Sequence, residues 1–162
     1  MTPGEALEHE GMTLPIPGPV RGTWARTVRV GSLLFVAGNG PFVDGKMAFA
    51  GKLGADLTVD TGRRAAEVTT LNILGALKAE LGELSRVARF VRLMVFVNSM
   101  PDFTEHILVA NGATELLVRV FGDIGRAALA EVGVASLPFD GAVEIEAIVE
   151  VHDPATAVKK AP

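Results

Sequence analysis

Two residue types are missing from this sequence: it has no cysteine and no tyrosine among its 162 residues. The absence of cysteine excludes disulfide bonds, thiolate metal ligands and a cysteine nucleophile. No stretch approaches the roughly 18 uninterrupted apolar residues that a membrane-spanning helix needs. The sequence therefore predicts no membrane partner, and any catalysis has to use other side chains or backbone groups.

An excess of basic residues is also missing. Asp and Glu outnumber Lys and Arg by 19 to 15, which gives a formal net charge of −4. General nucleic-acid binders need a basic face to displace counterions from phosphates, so no nucleic-acid partner is expected. Residues 1–11 lack the basic start and the apolar run of a signal peptide, so we expect a cytoplasmic location.

The sequence does contain enough apolar material for one core, because 49% of its residues are hydrophobic and 21% are charged. At this length such a composition is typical of a single globular domain. We predict an N-terminal arm over residues 1–18, one domain over residues 19–153 and a C-terminal tail over residues 154–162. The arm mixes acidic residues with prolines, which disfavours both helix and central strand, and it is expected to pack over the domain.

Hydrophobic periodicity predicts the order strand, strand, helix, strand, helix, strand, strand. The first helix should begin after Thr58, an N-cap residue, with Asp60 in its first turn. The second helix should be capped by Asp102, with Glu105 reaching back, and should end at Gly122. The predicted strands cover residues 24–30, 33–37, 86–97, 129–136 and 142–151.

Two helices on one face of a mixed sheet fit this order, so the predicted fold class is α+β. Gly75, within the first helix, is expected to permit close approach to the strands below it. The opposite sheet face would be uncovered, and strand alternation places Phe90, Met94, Phe96 and Ile148 on it. Because large exposed apolar patches mark interfaces, the sequence predicts a closed oligomer.

Three carboxylates, Glu144, Glu146 and Glu150, share one face of the last predicted strand. A carboxylate held among apolar groups has a raised pKa, which suits it to move protons. Alternating acids on a strand also commonly just face water, so both interpretations stay open. No metal-ligand pattern surrounds any histidine, and no metal site is expected; the histidines are His9, His106 and His152.

The loop Gly38-Asn39-Gly40 follows the second predicted strand. It lacks the following helix and the spacing of a dinucleotide or phosphate loop, so its glycines are expected to shape a tight turn. Its exposed amides could still bind an anion or a carbonyl oxygen. No nucleophile-elbow pattern surrounds any serine, so hydrolysis through serine has little support.

Several short segments occur in order along the chain: VAGNGP at residues 36–41, MVFVN at 94–98, DF at 102–103, VANGA at 109–113, and LP followed by VEIEA within 137–147. Together they resemble the YjgF family, also called the reactive intermediate deaminase or Rid family and labelled L-PSP endoribonuclease. The resemblance covers residues 24–151 and is greatest to a longer subgroup.

This resemblance implies a chorismate-mutase-like α+β fold that assembles as a homotrimer, with small-molecule clefts between neighbouring subunits. Deaminating members hydrolyse 2-imino or enamine acids to 2-oxo acids and ammonia, and they need no cofactor. In them an arginine holds the substrate carboxylate, backbone groups of the glycine loop hold the reacting end, and a glutamate positions water. The positions that match in this sequence are Gly38 and Asn39 in the loop, Asn111 in the second helix and Glu146 as the glutamate.

The arginine of the family pattern is missing, because Leu129 stands eight residues before Leu137. Arg126 lies three residues earlier and is expected near the cleft mouth, but three residues of strand shift an anchor by about 10 Å and reverse its face. One hypothesis is therefore an imine deaminase with altered substrate choice. The other is a non-enzymatic ligand-binding or regulatory trimer.

Overall fold

The computed structural model describes residues 1–153, so the predicted tail over residues 154–162 lies outside the described residues. Three helices and seven strands follow one another along this part of the chain. The helices are α1 (Pro3–His9), α2 (Val59–Leu81) and α3 (His106–Phe121). The strands are β1 (Thr27–Val30), β2 (Leu33–Asn39), β3 (Phe42–Val43), β4 (Lys46–Met47), β5 (Val87–Asn98), β6 (Ala128–Val134) and β7 (Val143–Val151).

Five strands form one mixed sheet in the order β1-β2-β7-β5-β6, and the short β3–β4 hairpin stands apart from it. The β5–β6 pair is parallel, and the other pairs in the large sheet are antiparallel. Helices α2 and α3 pack against each other and against one face of the sheet. The predicted α+β, chorismate-mutase-like fold is confirmed. No helix within residues 1–153 combines the length and apolarity needed to cross a membrane.

Helix α2 begins and ends as its sequence predicts. The Thr58 hydroxyl accepts a hydrogen bond from the Thr61 amide at 3.2 Å, and Asp60 lies in the first turn. Gly82 ends the helix with φ at +82°, a conformation that favours glycine. One face of this helix is buried; it comprises Ala66, Thr70, Ile73, Leu74, Leu77 and Leu81.

The start of α3 differs from the prediction. The helix begins at His106, and its N-cap residue Glu105 makes no side-chain cap, so the predicted capping by Asp102 is wrong. The preceding segment is held by another part of the chain: the Met100 amide donates to the Leu53 carbonyl at 3.0 Å. This tertiary pairing replaces the local cap. The predicted end is confirmed, since Gly122 follows Phe121 with φ at +62°.

The N-terminal arm contains a helix where none was expected. Thr2 and Glu5 form a reciprocal capping box around Pro3, which is tolerated at a first helical position because its missing N–H has no partner there anyway. Leu7 is buried against the core. Farther along, the Pro15 carbonyl lies over Gly75 of α2, where any Cβ would overlap it. Glycine at position 75 therefore leaves room for the arm to pack on α2. The predicted reason for this glycine, close approach of the helix to the strands, is wrong.

Strand β5 is irregular, and this changes which side chains it buries. Its pairing with β7 shifts register between Val87 and Arg89 and again between Phe90 and Arg92. Each bulge reverses the alternation. Phe90 is therefore 1% exposed and meets Phe121 edge to face at 5.0 Å, so its predicted place on the uncovered face is wrong.

The sheet face opposite the helices is uncovered within the described chain. Phe35 of β2 pairs with Ile148 of β7, and Phe96 of β5 pairs with Val132 of β6, all on this face. Phe35 is 41% exposed and Val132 is 40% exposed. An apolar patch of this kind is characteristic of a subunit interface.

Candidate functional site

A cleft of about 860 Å³ opens beside the carboxyl-terminal end of β2. Its walls are the segment over residues 15–26 that precedes β1, the β3–β4 hairpin and the turn after Leu137. Gly38 and Glu144 also line it. Its volume lies within the range of about 300–1,000 Å³ that is usual for small-molecule sites.

The glycine loop departs from regular strand geometry because β2 bulges between Val36 and Asn39. The Asn39 side-chain amide donates to the Ala37 carbonyl at 2.8 Å and holds this bulge. The Glu144 carboxylate lies directly against the Gly38 backbone, and a Cβ at position 38 would overlap Glu144 Oε1. Glycine at this position therefore lets a carboxylate rest on the loop.

Glu144 is half-buried in this cleft, whereas Glu146 is exposed. Burial raises the pKa of the Glu144 carboxyl, and the negative charge of Glu146 raises that pKa further. A raised pKa lies closer to neutral pH than the usual carboxyl pKa does. A carboxyl with such a pKa is better able both to accept and to release a proton.

The raised pKa also predicts how stability depends on pH. A folded-state pKa above the usual value of 4.5 favours folding below that pH, and this contribution is lost as the pH rises through the folded pKa. Glu144→Gln should therefore melt at a higher temperature than the wild type at neutral pH, with the difference shrinking towards acid. Thermal melts across this pH range measure it. A difference that grows towards acid would contradict the shift.

Asn72 of α2 supports the loop from the helix side. Its side-chain amide donates to the Gly40 carbonyl at 2.9 Å and to the Phe42 carbonyl at 3.0 Å. Sequence reasoning missed this residue, although a polar side chain next to the buried Ile73 was a usable signal. Asn72 fixes the distance between the loop and α2, and thereby the width of the cleft.

Aromatic side chains line the outer wall of the cleft. Phe139 adopts φ of +57°, in the left-handed region, which turns its ring outward, and the ring is 62% exposed. It meets Phe42 edge to face at 5.7 Å, and Trp24 is half exposed in the same cleft. These rings make the wall suitable for an apolar ligand group.

The structure brings together only part of the predicted site. Gly38 and Asn39 line the cleft, but Asn111, Leu129 and Arg126 do not. Asn111 precedes Gly112, which packs against the α2 backbone at the helix–helix contact. Leu129, on edge strand β6, pairs with the buried Leu93 and packs against the core.

Arg126 is not part of β6 and does not replace the missing arginine within this chain. Its side chain is 68% exposed and forms an ion pair with Asp123 at 3.2 Å. It follows a short 3₁₀ turn over Gly122–Gly125. Its guanidinium therefore lies in solvent away from the described cleft.

Glu146 lies on the same face of β7 as Glu144 but two residues farther from the glycine loop. It pairs with Met94 on the uncovered face and does not line the cleft. The assignment of Glu146 as the water-positioning glutamate stays a prediction, and the geometry favours Glu144 for this role. Strand alternation could not separate the two residues, because it places both on one face.

Within residues 1–153, no group of three or more His, Asp or Glu side chains is arranged to hold a metal ion. The cleft itself is lined by the carboxylates of Glu144 and Asp44 and by the guanidinium groups of Arg21 and Arg26. The chemistry this arrangement offers is proton transfer at a carboxylate, hydrogen bonding to loop amides and anion binding.

Comparison with known proteins agrees with this arrangement of fold and cleft. The family model described as "YjgF/chorismate_mutase-like, putative endoribonuclease" matches residues 5–150. The chain belongs to the YjgF family. Protein TCP17 of Trypanosoma cruzi is 44% identical over 148 residues, which cover 91% of this chain and 92% of that protein.

Solved structures of YjgF-like proteins share the fold. The Agrobacterium tumefaciens protein Atu1372, with unknown function, is 43% identical, superposes with a TM-score of 0.87 and covers 93% of this chain and 94% of that one. RidA from Psychrobacter sp. PAMC 21119 is 29% identical, with a TM-score of 0.55 and coverage of 84% and 94%. The predicted family membership is confirmed.

Proposed function

We propose that this YjgF-family protein hydrolyses small reactive imines, or their enamine tautomers, to oxo compounds and ammonia. The observation that carries the proposal is the Glu144 carboxylate, which is half-buried in the cleft and rests on the backbone of Gly38. Burial raises the pKa of this carboxyl, and a raised pKa favours proton transfer by a carboxylate. Similarity to a protein named RidA supports the same reaction class.

In the proposed reaction, Glu144 accepts a proton from water as the water oxygen bonds to the imine carbon. The imine carries a proton on its nitrogen, so a neutral carbinolamine forms when the water oxygen has bonded. Glu144 then returns its proton to the nitrogen and the carbon–nitrogen bond breaks. The hydroxyl proton passes to the Glu144 carboxylate and from there to solvent, which leaves the oxo product and ammonia. In this proposal, amides of the loop around Gly38 and Asn39 donate hydrogen bonds to the reacting end.

We further propose that the working assembly is a homotrimer in which the uncovered sheet faces meet. The apolar side chains on that face, including Phe35 and Val132, support this assembly. Edge strand β6 of a neighbouring copy would then lie beside the cleft and bring its own Leu129 there.

The proposal is tested by generating 2-iminobutanoate from threonine with a dehydratase and following its loss. The wild-type protein should accelerate hydrolysis above the buffer rate, and light scattering should give three times the mass of one chain. A rate equal to buffer for this imine and for an aromatic imino acid would refute the deaminase assignment. A monomeric mass would refute the shared cleft.

The second candidate function is a non-enzymatic ligand-binding or regulatory trimer. Leu129, which stands where the deaminating members have a carboxylate-binding arginine, favours it, because leucine offers no charged hydrogen bond. Under this alternative the protein binds a 2-oxo acid in the cleft but does not change the rate of imine hydrolysis. Leu129→Arg would then create a measurable rate only if the rest of the site is competent.

A further inference from the structure

We propose that Arg26, assisted by Arg21, binds the carboxylate of the ligand, so that the segment just before β1 supplies the anion contact that position 129 lacks. The ligand class is a 2-oxo or 2-imino acid with an apolar or aromatic side chain. The inference rests on the proposed function for the imino acid only. Binding of the oxo acid tests it independently.

Arg26 is placed close to the glycine loop by its own backbone. The Ala37 amide donates to the Arg26 carbonyl at 2.9 Å, one residue before Gly38. Its half-buried side chain lines the cleft and donates from one guanidinium nitrogen to the Gly18 carbonyl. A guanidinium carries five N–H donors, so enough donors remain for a bidentate contact with a carboxylate.

Arg21 lies at the outer edge of the same cleft. Its guanidinium carbon is 5.7 Å from the centre of the Phe139 ring, and one nitrogen makes a long contact of 3.4 Å to the Gly45 carbonyl. These contacts hold the charge over the cleft without neutralising it. Arg21 therefore adds to the positive potential that an incoming anion meets.

Neither arginine has a carboxylate partner within residues 1–153, whereas other guanidiniums do. Arg29, Arg63, Arg119 and Arg126 each form an ion pair with Asp or Glu. Four further arginines also have no carboxylate partner among the described residues, but they do not line the cleft; they are Arg64, Arg86, Arg89 and Arg92. Two guanidinium groups that have no carboxylate partner within residues 1–153 and share one concave site can bind an anion.

The remaining wall of the cleft indicates what the anion is attached to. Trp24 and Phe139 present exposed rings there, so an apolar substituent on the ligand would contact them. A ligand whose reacting carbon lies near Gly38 and Glu144 can then place its carboxylate towards Arg26 and its side chain towards the rings. In this orientation the ligand contacts the glycine loop, Arg26 and the aromatic wall of the cleft.

The experiment measures binding of 2-oxo-4-phenylbutanoate and of its uncharged ethyl ester to the intact protein by calorimetry. Loss of a charge-assisted hydrogen-bonded pair should weaken acid binding by about 10- to 100-fold in Arg26→Met. Arg21→Met should weaken it less, and neither substitution should affect the weaker ester binding. Arg26→Lys keeps the charge but not the bidentate geometry and should fall between wild type and Arg26→Met.

Arg64→Met is the matched control for Arg21→Met. Arg64, like Arg21, is exposed, has no carboxylate partner within residues 1–153 and lies over a phenylalanine, Phe49, at 6.0 Å. The Arg64→Met variant should bind the acid as the wild type does. If Arg26→Met weakened binding of the acid and of the ester equally, the backbone around residue 26 would have moved. That result would overturn the proposed charge contact. Unchanged acid binding in Arg26→Met, or no acid binding by the wild type, would overturn it as well. Acid binding lost in Arg126→Met instead would assign the contact to a neighbour's arginine.

The outcome is separable from the proposed reaction. A protein that binds the acid through Arg26 but does not hydrolyse imines supports the anion site and refutes the deaminase. A protein that hydrolyses imines with unchanged kinetics in both arginine variants supports the deaminase and refutes the anion site.

Discussion

Glu144→Gln should lower kcat/KM for hydrolysis of 2-iminobutanoate by about 10²- to 10⁴-fold, the usual contribution of a positioned acid or base. Glutamine keeps the size of the side chain on Gly38 but cannot accept the proton from water. Initial rates of imine loss, with the imine supplied by a dehydratase, give the ratio.

Glu146→Gln is the matched control, because it makes the same substitution two residues away on the same face of β7. Glu146 pairs with Met94 outside the cleft, so the substitution Glu146→Gln should leave the rate of imine hydrolysis nearly unchanged. If Glu146→Gln lost the rate and Glu144→Gln retained it, the sequence-based assignment would stand and the geometric one would fall. The comparison therefore decides between two residues that the sequence pattern treats alike.

Phe90→Ala should reduce the free energy of unfolding by about 3–5 kcal/mol, the cost of removing a buried aromatic ring and leaving a cavity. Phe90 is 1% exposed, and its ring packs edge to face on Phe121 at the end of α3. Denaturant unfolding at a fixed protein concentration measures the loss, because an oligomer's stability depends on concentration.

Val91→Ala serves as the control for this prediction, since Val91 is 37% exposed next to the bulge. Its truncation should cost far less than that of Phe90. The uninterrupted alternation of the sequence predicts the opposite ranking, with Val91 inside and Phe90 outside. A larger loss for Val91→Ala would therefore show that β5 lacks the bulge.

Much of the fold could be predicted because the signals were local. Thr58 and Gly122 mark helix ends through hydrogen bonding and backbone preference within a few residues. The bulges of β5 are different, since they arise from pairing with β7, and the paired residues Phe90 and Val149 lie about sixty positions apart in the chain. The predicted Asp102 cap failed for the same reason, because the pairing of Met100 with Leu53 is a tertiary contact.

The site was predictable only where its residues are close together in the chain. The neighbouring residues Gly38 and Asn39 predict an irregular loop, and this loop lines the cleft. The choice of Glu144 over Glu146 depends on where the bulged end of β2 meets β7. Sequence reasoning missed Arg26. Pairing within the predicted hairpin places its backbone beside Ala37, but the direction of its side chain depends on contacts such as that with the Gly18 carbonyl.

The place of β7 in the sheet has a consequence during synthesis. β7 follows every other strand in the described chain, yet it is hydrogen-bonded between β2 and β5. Until it leaves the ribosome, the β1–β2 hairpin and the β5–α3–β6 unit have no strand to join them, and their inner edges are unpaired. Unpaired strand edges on nascent chains promote aggregation. The nascent protein should therefore need chaperone protection until β7 emerges.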